Sequence, residues 1–156
     1  MKSKVYVETT IISYLTAMPS SDIVLAAHQQ ITREWWERRH RFDLFVSQAV
    51  IREAARGDAE AAARRSTAVE GGPVLGVGAE AAQLAERFLQ MGVMPAKAEV
   101  DAVHIAVAVV NGMDYLLTWN CRHIANAAIR GKIEYTCRDA GLQPPIICTP
   151  EELMEE

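Results

Sequence analysis

The chain has 156 residues, half of them apolar and 23% charged, with a formal net charge of −4. That is enough chain for a single globular domain over 1–156 with a real core. No apolar run approaches the roughly 20 residues of a membrane span, and the acidic balance speaks against binding nucleic acid by general basicity. The first ten residues show no long apolar stretch or small-residue cleavage site. Cys121, Cys137 and Cys148 have no CxxC spacing, so reduced thiols in a cytoplasmic protein are expected rather than a disulfide framework or a zinc site.

Lys4 to Val7 is short and β-prone and reads as a strand. After Thr9-Thr10 a helix runs from Ile11 to Ala17. Pro19 to Asp22 breaks it and offers an N-cap for the next helix. There Ile23, Ala26, Ala27, Ile31 and Trp35 fall at helical spacing, and the helix ends in the basic block Arg38 to Arg41. Asp43 to Ser47 reads as the second strand, followed by a helix from Gln48 to Arg56 that Gly57 closes. Helix is expected over 59–69 and 79–90, with a weaker strand at 74–77 between them. From Lys97 to Val110 the chain is almost continuously apolar apart from Glu99, Asp101 and His104, as a helix buried in the middle of a fold would be. Tyr115 to Thr118 and Pro145 to Cys148 read as the last two strands. Asn120 precedes a helix expected to begin at Cys121 or Arg122. Thr149-Pro150-Glu151-Glu152 has the form of a capping box and predicts a short C-terminal helix.

Strands alternating with helices imply an α/β fold with a mostly parallel sheet of four to five strands, covered on both faces. In such sheets a ligand sits at the carboxyl ends of the strands. Glu8 and Thr9 follow the first strand there, and Thr118-Trp119-Asn120 follows the fourth. Glu53 lies on the helix after the second strand. Asp101 lies in the first turn of the apolar helix, where a bare charge would cost several kcal/mol, so it must be paired, protonated or metal-bound. A hard divalent cation takes oxygen ligands from Asp, Glu and Asn. Each residue also has a plainer reading: a solvated strand end for Glu8, a surface position for Glu53, a helix-end charge for Asp101, a turn cap for Asn120. His104, one turn after Asp101, reads as a hydrogen-bonded structural histidine in preference to a ligand.

The stretches VYVETTIISYL, VSQAVIREAARGD, VDAVHIAVAVVNGMDYLLTWNCRHIAN and PPIICTPEELM together resemble the PIN domain, in particular the ribonuclease toxins of the VapBC type. The resemblance implies a three-layer sandwich and an active site in the order Glu8, Glu53, Asp101, Asn120, with Thr9 and Thr118 at the hydroxyl positions beside them. It implies Mg²⁺ or Mn²⁺ held by Glu8, Asp101 and Asn120, with Asp101 at the centre. Glu53 would hold a second ion or orient the attacking water. Arg122 and His123, just after Asn120, are read either as contacts to the RNA backbone or as solvated surface residues. The implied partners are RNA, a small antitoxin protein and a second copy of the chain.

Two positions depart from the pattern. Glu8 stands where the family usually has Asp, and Asn120 likewise. Those departures keep a second reading open: a PIN-fold RNA- or protein-binding module with weak or no catalysis. A phosphatase using an aspartyl nucleophile is disfavoured, because Glu8-Thr9-Thr10 supplies no D-x-D. The Trp35-Trp36 pair is a contact surface or, for at least one indole, part of the core.

Overall fold

The computed structural model describes residues 1–154. The helices and strands alternate in the order β1 (Lys4–Val7), α1 (Thr9–Thr16), α2 (Ile23–Glu37), β2 (Asp43–Ser47), α3 (Gln48–Ala54), α4 (Ala59–Val69), β3 (Val74–Leu75), α5 (Ala79–Gln90), α6 (Glu99–Val110), β4 (Tyr115–Leu117), α7 (Ala127–Asp139) and β5 (Ile146–Cys148). Single 3-10 turns at Arg39–Arg41 and Ala96–Ala98 precede β2 and α6.

The five strands form one sheet in the order β3-β2-β1-β4-β5, and every pairing is parallel. Parallel neighbours require crossovers, and right-handed crossovers put helices on both faces. Accordingly α1 packs on α2, α3 and α4, while α5 packs on α6 and α7. The chain moves outward from β1 through β2 to β3, then returns across the sheet to β4 on the other side of β1. This reversal puts the topological switch between β1 and β4, where an open α/β sheet leaves a crevice.

Burial explains the central strands. Val5, Tyr6 and Val7 are at most 1% exposed, and Leu116 and Leu117 are fully buried, as expected for strands covered on both faces. Helix α6 buries Ala102 and every residue from His104 to Val109, so its apolar run is the second wall of the core. Gly112 ends that helix with φ +66, a left-handed conformation that glycine adopts without penalty.

Some boundaries differ from those expected. Helix α1 begins two residues early, because Glu8 itself is the N-cap and its side chain accepts from the Thr10 amide. No helix starts at Cys121 or Arg122: residues 121–124 form a turn, and α7 begins at Ala127 with Asn126 as its cap. The capping box at Thr149 forms, with Thr149 N donating to Glu152 Oε1 at 3.0 Å, yet it closes only a turn at 150–153. Its intended continuation at 155–156 lies outside the described residues. Trp35 is fully buried and stacks on Phe42, so it belongs to the core, while Trp36 carries the Arg39 guanidinium over its ring at 4.6 Å. No helix among the described residues is long and apolar enough to cross a membrane.

Candidate active site

Glu8 continues β1 past its last residue, its amide donating to the Leu117 carbonyl of β4. Its carboxylate is therefore delivered to the switch point, and it is only 3% exposed. Three donors meet it. The Thr10 and Thr118 hydroxyls donate to Oε1 at 2.5 and 2.6 Å, and the Thr10 amide donates to Oε2 at 3.1 Å. Burial pushes the Glu8 carboxyl above the usual carboxylate range, against the opposing pull of His104 and the threonine hydrogen bonds.

Glu53 arrives from α3, which Ser47 caps by accepting from the Ala49 and Val50 amides. Its Oε1 takes the Thr9 hydroxyl at 2.5 Å and lies 2.5 Å from His104 Nε2. Burial opposes its charge, but the hydrogen bond and charge of His104 outweigh that, and the Glu53 carboxyl is held below its ordinary value. His104 is fully buried. Its other nitrogen, Nδ1, is 2.7 Å from the Tyr6 hydroxyl, which is in turn 2.7 Å from Ser47 Oγ. Burial also disfavours the charged imidazole, yet the Glu53 hydrogen bond and the nearby Glu8, Glu53 and Asp101 charges raise its pKa overall.

Among the described residues, Glu8, Glu53 and His104 form one group that offers ligand atoms all within 4.8 Å of one another. Asp101, expected at the centre, is not part of that tight group. It sits three residues before His104 on α6, partly exposed, with Oδ2 3.1 Å from His123 Nδ1. Asn120 is tied to the same assembly through its amide, which donates to Thr118 Oγ1 at 2.9 Å. Its side-chain oxygen accepts from the His123 amide at 3.0 Å. Thr9 and Thr118 each hydrogen-bond a carboxylate, at Glu53 and Glu8. Arg122 is exposed, and its carbonyl accepts from Asn126 Nδ2; the structure does not bring its side chain into this network.

His104 is the hydrogen-bonded structural histidine expected from the sequence, with both ring nitrogens engaged. The same bonds also make it the partner of Glu53. Little in the sequence pattern marks Thr10 or Tyr6 as part of the site. Thr10 is as central as Thr118, since its hydroxyl also accepts from the Trp119 amide at 2.8 Å. A hydroxyl two residues after a strand-end carboxylate was the one available signal.

The donors suit a hard divalent cation. Two carboxylates and an imidazole converge, and Glu53 Oε2 and Asp101 Oδ1 take no hydrogen bond among the described residues. Oxygen donors with unused lone pairs fit a hard divalent cation, while both ring nitrogens of His104 are already engaged, by Glu53 and by the Tyr6 hydroxyl.

No family model matches the chain, and no curated protein matches it significantly. Solved structures do. VapC20 of Mycobacterium tuberculosis, described as a sarcin-ricin loop cleaving toxin, superposes with a TM-score of 0.60 at 18% identity, over 76% of this chain and 92% of that one. The chain has the VapC fold. A chain of VapBC2 from Rickettsia felis, solved bound to a DNA fragment from its promoter, gives 0.59 at 12% identity over 94% and 98%. The PIN-like α/β sandwich expected from the sequence is thus the fold observed, with its sheet wholly parallel. In this fold, Glu8 lies at the end of β1 at the switch point of the sheet, Glu53 and Asp101 come from α3 and α6, and Thr118 and Asn120 follow β4.

Proposed function

We infer that the chain is a metal-dependent endoribonuclease that hydrolyses RNA phosphodiester bonds, and that it is the toxin of a toxin–antitoxin pair in the cytoplasm. The observation that carries this reading is the convergence of Glu8, Glu53 and His104 within 4.8 Å at the switch point, with Asp101 one turn away on α6. The shared fold supports it, because one structure of that fold is described as a sarcin-ricin loop cleaving toxin.

The sequence resemblance makes Glu8, Asp101 and Asn120 the ligands; Glu8 and Glu53 already stand together, and Asn120 would have to release the His123 amide from its side-chain oxygen to join them. A bound Mg²⁺ or Mn²⁺ supplies Lewis acidity and lowers the pKa of a coordinated water. The chain's own residues prepare that chemistry. Thr10 and Thr118 hold the Glu8 carboxylate in one orientation. His104 and Thr9 hold Oε1 of Glu53 and leave Oε2 to orient a water. His123 turns Asp101 in the same way. Ser13 and Ser47 are not nucleophiles on this reading, and Ser47 in particular is committed to capping α3. A small antitoxin covering the acidic cleft and a homodimer are the partners this reading carries.

Cleavage of single-stranded RNA with Mn²⁺ is the test, run on the native chain and on Asp101→Asn. The native chain should cut and lose activity in EDTA, and Asp101→Asn should fall at least about a hundredfold, since metal-site electrostatics supply several kcal/mol of barrier lowering. EDTA-insensitive cleavage undiminished in Asp101→Asn would sink the assignment. A binding module without catalysis, the second reading motivated by Glu8 and Asn120, would show neither cleavage nor a divalent-ion rise in melting temperature.

A further inference from the structure

Trp119 stands between Thr118 and Asn120, so its backbone belongs to the acidic site. Its amide donates to the Thr10 hydroxyl at 2.8 Å, and that hydroxyl donates to Glu8 at 2.5 Å. Its side chain belongs to something else. The indole stacks on the His28 imidazole, ring centroids 4.1 Å apart and planes 13° apart. The Tyr14 ring lies nearly parallel to both, 11° from Trp119 and 16° from His28, at 6.1 and 6.5 Å.

The arrangement is held rigid. Thr32 Oγ1, fully buried, accepts from the Trp119 indole nitrogen at 2.7 Å and donates to the His28 carbonyl at 2.6 Å. Gln29, 3% exposed, ties the connection between α1 and α2 to the same turn of helix through Met18 O and Ser20 N. Core packing explains Trp119, which is 7% exposed. It does not explain its two companions. Tyr14 and His28 both remain partly in solvent, and neither the Tyr14 hydroxyl nor the His28 ring takes part in a hydrogen bond with another described residue. Flat, partly exposed rings packed on a residue whose own amide is two hydrogen bonds from Glu8 are what a nucleobase stacks on.

We propose that Tyr14 and His28, backed by Trp119, form a stacking platform for a nucleobase of single-stranded RNA beside the bond that is cut. The inference rests on the ribonuclease reading and adds the form of the substrate. A base inside a duplex has both faces covered, so the platform takes an unpaired one. It also supplies affinity that a chain of net charge −4 lacks through general phosphate attraction.

Steady-state cleavage of a single-stranded RNA 12-mer with Mn²⁺ tests it, on the native chain and on Tyr14→Ala, His28→Ala and His28→Phe. Each alanine variant should raise KM about tenfold or more, with kcat much less affected, because a lost base–aromatic stack weakens binding on that scale. His28→Phe, which keeps a π-face, should stay near native. A second measurement needs no variant: a competitor oligonucleotide made of abasic residues, matched in phosphate number, should inhibit the native chain about tenfold more weakly than one carrying bases. Unchanged KM in both alanine variants, no recovery in His28→Phe, or equal inhibition by abasic and base-bearing competitors would each overturn the platform while cleavage of RNA leaves the ribonuclease reading standing. A native chain that neither binds nor cuts RNA overturns both.

Discussion

Removing one oxygen atom from the centre of the sheet tests the buried chain that supports Glu53. Tyr6→Phe keeps the ring of a residue that is 0% exposed and deletes the hydroxyl that sits 2.7 Å from both Ser47 Oγ and His104 Nδ1. Little cavity results, so the cost comes from polar groups left behind. Ser47 loses least, because its hydroxyl oxygen still accepts from the Ala49 and Val50 amides at 3.1 and 3.3 Å. His104 loses most: its ring is fully buried, and Nδ1 has no second partner among the described residues. An unsatisfied buried polar atom costs about 1–3 kcal/mol. A chain of this size moves roughly 2–4 °C per kcal/mol, so the metal-free variant should melt about 2–12 °C lower. Urea unfolding followed by far-ultraviolet circular dichroism reads the loss as a shifted midpoint at unchanged slope. Tyr135→Phe, on a side chain exposed at the surface of α7, should stay within about 0.5 kcal/mol. A double-mutant cycle with His104→Leu should return a coupling of about 0.5–3 kcal/mol. A Tyr6→Phe loss below about 0.5 kcal/mol, or zero coupling, would refute a connected chain from Ser47 through Tyr6 and His104 to Glu53.

The remaining predictions address charge, reach and access. His104 has a folded pKa raised above 6.5, so its contribution is complete below that value and is lost as pH rises through the raised one; Glu53, held low, contributes above about 4.5 and loses it as pH falls. The urea midpoint of the metal-free protein should therefore decline as pH rises above about 6.5, and His104→Gln should flatten that decline. Glu8→Asp draws the carboxylate back by one methylene from the fully buried Thr118 hydroxyl, and a calorimetric scan should show a loss of about 1–3 kcal/mol. Asn120→Asp keeps an oxygen for the His123 amide and adds a negative charge, so a Mn²⁺ titration should show tighter binding, on the order of tenfold; weaker binding would remove residue 120 from the ligand set. Of the thiols, only Cys121 is exposed, while burial pushes Cys137 up to about 11 and Cys148 up to about 12. A native thiol titration at pH 8 should count one rapid equivalent, with the other two appearing on unfolding.

The sheet was legible because its strands are short apolar runs separated by caps and glycines, and each expected strand is present in the order given. What misled were local signals that a competing interaction overrode. Asn120 looks like an N-cap, but it closes a turn by accepting from the His123 amide, and Asn126 caps the helix instead. Thr149 and Glu152 form their capping box, but the box closes a single turn. Residue types at the site were legible; pairings were not. Glu53 and His104 are 51 positions apart and Asp101 and His123 are 22 apart, and no periodicity in a single sequence encodes which imidazole meets which carboxylate. The apolar helix around Asp101 demanded a partner for its charge, and the resemblance placed that charge at the centre. The structure satisfies that residue through His123 at the partly exposed end of α6, while His104, one turn deeper, takes the buried position next to Glu8 and Glu53.

Glu8 and Asn120 now have physical explanations that their departure from the family pattern did not supply. The longer Glu8 side chain does two jobs that a shorter acid would divide: its Oε2 caps α1 at the Thr10 amide, while its Oε1 reaches across to the Thr118 hydroxyl after β4. Helix α1 and strand β4 are thereby fixed to one carboxylate, and the same two threonines hold Trp119 and Asn120 through their amides. Asn120 accepts the His123 amide, and His123 in turn meets Asp101. The acidic groups are thus joined by hydroxyls, amides and imidazoles, each of which meets a carboxylate or positions a group that does. Such a network lets the carboxylates sit close together in a folded chain before any cation arrives, because hydrogen bonds to the charged form offset part of its desolvation. It also fixes their orientation, so that a cation entering the cleft would meet oxygens already aimed and would not have to order them.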